Sequence, residues 1–68
     1  MYPNIKAEMA RNGINGIVLA ELAHIPYATL NSKMTGKTDW KLSEAIAVKQ
    51  AIGTAIPLEE LFKKAART

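Results

Sequence analysis

The densest run of reactive side chains is Asn31-Ser32-Lys33-Met34-Thr35-Gly36-Lys37-Thr38, which closes on Gly-Lys-Thr as a phosphate-binding nucleotide loop does. That loop opens on glycine, follows a strand and feeds a helix, because its amides must curl around the phosphates. Here Asn31 stands at the first position and the preceding residues have helical spacing. The run therefore reads as a glycine-terminated helix followed by a basic loop. His24 is the single histidine. A histidine acting as general base needs a nucleophile and an orienting group nearby, and neither accompanies it in sequence. Histidine also tolerates positive φ, which suits a tight turn between two helices. With no cysteine, disulfides, thiolate chemistry and zinc sites built on sulfur are excluded. One histidine leaves a four-ligand metal site poorly supplied. No catalytic residue, metal ligand or cofactor is expected, and the chain is not expected to be an enzyme.

The elements around these residues follow from breakers and period. No sustained two-residue alternation supports a strand. Five helical segments are predicted. The first runs from Pro3 or Asn4 to Asn12 and stops at Gly13. The second is capped by Asn15 and reaches Ala23, with Leu19, Leu22 and Ala23 on one stripe. The third starts near Pro26, buries Leu30 and Met34, and ends at Thr35-Gly36. The fourth spans Leu42 to Ile52 and stops at Gly53. The fifth opens at Pro57 and carries Leu58, Leu61, Phe62 and Ala65. Ile5, Met9, Ile14, Leu19, Leu22, Ile25, Leu30, Met34, Trp40, Leu42, Ile46, Ile52, Ile56, Leu61 and Phe62 are the expected core.

Sixty-eight residues form one small domain, 1–68, with 49% apolar residues and a net charge of +3. Such a chain rarely encloses a water-excluded pocket for a metabolic substrate, so a binding module is the better expectation. No apolar run approaches the length of a membrane span. The first residues lack a basic leader, so no signal peptide is expected, and a soluble, cytoplasmic protein in a bacterial host cell follows. Between Met9 and Thr38 the only acid is Glu21, against Arg11, Lys33 and Lys37. That asymmetry suits an anionic partner.

Leu19-Ala20, Ile25 and Leu30 mark the inner side of two helices joined by a short turn, the spacing of a helix-turn-helix over about 16–35. The stretch from Asn15 to Lys37 resembles the helix-turn-helix of the phage repressor/Cro (xenobiotic-response-element) superfamily. Tyr2-Pro3-Asn4-Ile5, Trp40-Lys41-Leu42-Ser43-Glu44-Ala45-Ile46 and Ile56-Pro57-Leu58-Glu59-Glu60-Leu61-Phe62 extend the likeness over nearly the whole chain, toward small regulators of temperate phages of Gram-positive bacteria.

The resemblance implies an all-α, compact five-helix domain of the lambda-repressor-like type. It implies binding of double-stranded operator DNA in a lysis/lysogeny switch, by a homodimer with two recognition helices about one DNA turn apart. The interface between copies would lie on segment five and the tail from Lys63 to Thr68. Tyr27, Ala28, Asn31 and Ser32 occupy the base-facing positions. Asn31 suits adenine, Ser32 a base or phosphate, and Ala28 a thymine methyl. Gly16, Lys33, Thr35, Gly36 and Lys37 are placed for phosphates.

The chain departs from the family where glutamine, glycine and polar residues are frequent, with Gly16, His24, Ile17 and Val18 in their place. Ile17, Val18, Pro26 and Tyr27 would then form an apolar surface, which fits a protein partner. The alternative expectation is an antirepressor of the modulator-of-repression kind. It would grip the DNA-binding domain of a co-encoded phage repressor through this same face.

Overall fold

The computed structural model describes residues 2–64. Within them the chain forms five α-helices and no strand: α1 (Pro3–Arg11), α2 (Gly16–Ala23), α3 (Tyr27–Met34), α4 (Leu42–Ile52) and α5 (Leu58–Leu61). None of these helices is long and apolar enough to cross a membrane.

Local chemistry sets the boundaries. Pro3 sits in the first turn of α1, where its missing N–H costs nothing. Asn15 caps α2, its Oδ1 accepting the Val18 N–H at 2.9 Å. His24 ends α2 in the left-handed region at φ 58°, the conformation expected of it, and Ile25 N–H returns to the Ala20 carbonyl at 3.0 Å. At the start of α4 the Glu44 carboxylate accepts the Lys41 N–H at 2.9 Å, half of a capping box. Gly53 ends α4 at φ 77°. The fifth helix is shorter than its apolar period predicts, a single turn after Pro57. Ala65, assigned to it from sequence, lies outside the described residues.

The second helix packs on both α3 and α4, and α5 closes against α4 and α1. Ile5, Leu19, Leu30, Val48 and Leu61 are fully enclosed between them. Met9, Ile14, Met34, Trp40, Ile56 and Phe62 pack around this centre. Three expected core residues are outside it: Leu22, Leu42 and Ile46 are all exposed. Their helices carry apolar residues around more of the circumference than the neighbours cover. Tyr2, not among the expected core residues, is buried instead. It meets Trp40 and Phe62 edge to face, and those two rings lie 5.0 Å apart. The Trp40 indole N–H is buried without an acceptor.

One polar contact joins distant parts of the chain. Thr54 Oγ1, buried just after α4, donates to Glu8 Oε1 of α1 at 2.7 Å and accepts the Ile56 N–H at 3.1 Å. Glu8 is itself buried, with Arg11 Nε 3.4 Å from its other oxygen.

Candidate nucleic-acid interface

The turn His24–Pro26 fixes how α3 is presented. Left-handed His24 reverses the chain within three residues, while Ile25 is buried beneath the turn. Leu30 then anchors α3 from below at 2% exposure. Away from this anchor Ala28 and Asn31 are exposed and Ser32 is half-buried, while Tyr27, one turn before Leu30, is 52% exposed. The four base-facing candidates therefore share the outward side of one short helix held by an apolar anchor.

A groove of about 400 Å³ runs between α1 and α3. Met9, Leu19, Leu30 and Met34 line it with Gly16, Tyr27, Asn31, Thr35 and Lys6. Gly16 lies close under Tyr27, since a Cβ there would sit 3.2 Å from the ring. As the first residue of α2, Gly16 has an N–H with no acceptor inside its own helix. Lys6 was not expected here. It is the one charged residue of the groove, on the far wall from Asn31. Its sequence context, one turn from Pro3, gives no sign that α1 borders this groove.

The remaining phosphate candidates need correction. Lys33 is only 7% exposed and turned inward. Its Nζ donates to the Asp39 carbonyl at 2.9 Å and pairs with Glu44 Oε1 at 3.0 Å. It tethers α3 to the loop before α4 and to α4 itself, and does not face a phosphate. The Thr35 and Gly36 amides are also engaged, with the Asn31 and Lys33 carbonyls respectively. The Thr35 hydroxyl donates to the Asn31 and Ser32 carbonyls at 3.0 and 3.1 Å. These groups close the end of α3; of the other phosphate candidates, Lys37 is exposed and Gly16 is half-buried.

Glu44 is held below the usual carboxylate range, first by the hydrogen bond from the Lys41 amide and then by the Lys33 ammonium. Its negative charge therefore persists against Lys33, which keeps that lysine in place.

Beside α3, Ile17 is 59% exposed, Val18 is exposed, and Pro26 is exposed at the turn. This apolar ledge adjoins Tyr27, with which Ile17 and Pro26 share a shallow depression. His24 lies at the same depression, and no group of His, Asp or Glu among the described residues could hold a metal ion. Comparison of the chain with protein families, with curated proteins and with solved structures finds no match.

Proposed function

We propose that this chain is a phage-type transcriptional regulator that reads operator DNA with α3, in a helix-turn-helix of the lambda-repressor-like kind. The observation that carries the reading is the exposure of Tyr27, Ala28 and Asn31 on α3, a helix that Leu30 anchors in the core. Sequence is read by short polar and apolar groups at base edges, and Asn31 offers the paired donor and acceptor that adenine requires. Lys37, Lys6 and the free Gly16 N–H supply the sequence-independent attraction. Selection of bound duplexes from a random pool tests the reading. A recurrent half-site should emerge at low salt. Asn31→Ala should relax one base position, at about 1–3 kcal/mol of lost discrimination. Lys37→Ala should reduce the slope of log K against log[salt] by about 0.9, while Lys33→Met should leave that slope unchanged. A pool that returns no preferred sequence refutes it.

A second reading is favoured by the exposure of Ile17, Val18 and Tyr27 together with the inward turn of Lys33. An antirepressor would use this apolar ledge to cover the DNA-binding domain of a co-encoded repressor. Under it, Ile17→Asp abolishes loss of the repressor's gel shift while the fold is retained. Under the DNA reading, the chain shifts the duplex by itself.

A further inference from the structure

We propose that the groove bordered by α1, α2 and α3 is a binding site for a small planar aromatic carboxylate, its ring on the apolar floor and its carboxylate at Lys6. The volume of about 400 Å³ falls within the roughly 300–1,000 Å³ of small-molecule pockets. Leu19 and Leu30 form the floor and are themselves closed to water. Met9 and Met34 are half-buried beside them. Thioether sulfur makes favourable contacts with aromatic rings and adapts to their shape. The Tyr27 ring is a further wall, set close against the Gly16 backbone because that residue has no side chain, with room of only 3.2 Å for a Cβ. Two methionines and a tyrosine around one hollow favour a flat ring over a branched aliphatic group.

Charge fixes the other half of the ligand. No acid lines the groove, and Lys6 is its one cation. Lys33 and Lys49 donate to backbone carbonyls, whereas the exposed Lys6 makes no ion pair or side-chain hydrogen bond with a described residue. Lys6 lies one turn before Met9 on α1, so the ammonium and the thioether border the same hollow. Gly16 brings the positive end of α2 to this groove, and the Asn15 cap engages the Val18 N–H rather than its own. An anionic group is therefore attracted from two sides. A phosphodiester would satisfy Lys6 and leave the floor bare. An uncharged side chain of a protein partner would fill the floor and leave Lys6 unanswered. The site does not rest on the reading of α3 as a DNA-binding helix. Only one consequence does: an occupied groove withdraws Lys6 and Tyr27 from a duplex.

Titration of the whole chain with cinnamate, without DNA, tests the site, with cinnamyl alcohol as the uncharged analogue of the same shape. A ligand of this size in an open groove should bind with Kd on the order of 1 mM, so the titration runs to about 10 mM. The Met9 and Met34 methyl resonances should shift and saturate together, while the Trp40 indole N–H, packed against Tyr2 and Phe62 outside the groove, should stay in place. The alcohol should bind more weakly. Lys6→Gln should weaken cinnamate by about two- to fivefold, the range of an exposed charge pair, leave the alcohol unchanged and keep the helical circular dichroism. Lys6→Arg should retain cinnamate binding. Methyl resonances that do not move overturn the proposal, as do shifts centred on Ile17 and Val18. Equal binding of acid and alcohol, or cinnamate binding that Lys6→Gln leaves intact, also overturns it.

Discussion

Replacing Thr54 by valine keeps the shape of the side chain and removes only its hydroxyl. The hydroxyl donates to Glu8 Oε1 at 2.7 Å across 46 residues of chain and accepts the Ile56 N–H at 3.1 Å. A hydrogen bond to a charged group contributes about 1.5–3 kcal/mol, and the partner left behind is costly when buried. Glu8 and Thr54 are both buried, so Thr54→Val should cost about 2–3 kcal/mol. For a chain of 68 residues, total stability is about 3–10 kcal/mol, so this one atom is a large share of it. Urea denaturation followed by Trp40 fluorescence and circular dichroism measures the loss. With a slope near 1 kcal/mol per M for so small a domain, the midpoint should fall by about 2 M. The thermal midpoint should fall by roughly 8–20 °C. Glu8→Met on the same background removes the stranded carboxylate. The double variant should therefore be at least as stable as Thr54→Val alone. A Thr54→Val chain within about 0.5 kcal/mol of the parent, or costs that simply add in the double variant, would refute the claim that this contact joins α1 to the end of α4.

His24 holds φ 58° with a β-carbon, so His24→Gly should raise stability by about 0.5–1 kcal/mol, whereas His24→Val should lower it by more, both read from thermal melts. The depressed Glu44 carboxyl makes a contribution fully present above the unfolded glutamate value of about 4.3, lost as pH falls through its lower folded value. Glu44→Gln should flatten that part of an acid titration of stability, and an unchanged acid limb would contradict the assignment. Gly16→Ala should keep the helical circular dichroism but displace the Tyr27 ring, whose edge lies 3.2 Å from the new carbon. Altered Tyr27 ring resonances are the readout.

What the sequence disclosed was mostly backbone chemistry acting over a few residues. Pro3, the Asn15 cap, the left-handed His24 and the Gly53 stop all act within one turn, so each could be placed without knowing the fold. The outward flank of α3 was legible for the same reason, since Ala28 and Leu30 lie on opposite sides of a short helix. Lys33 was not, because the direction of a lysine depends on where Asp39 and Glu44 arrive after the following loop. The burial of Glu8 was not legible either, because its partner Thr54 lies 46 residues away along the chain. Leu22, Leu42 and Ile46 have the spacing of core residues. An apolar stripe shows which side of a helix is greasy, but not whether the neighbouring elements are long enough to cover it. Lys6 gained its place from a groove that α1 shares with α2 and α3, which no local pattern records.

Tyr2 and Phe62 rest their edges on a common indole, and Asn4 Nδ2 also reaches the Glu60 carbonyl at 2.6 Å. The opening and closing stretches of the described chain are thus fastened at one clasp. Fraying that begins at either extremity loosens the grip on the other, and trimming Tyr2 away would slacken Phe62 as well. For so small a body this makes the first and last helices open together, with Trp40 as the hinge pin that both must release.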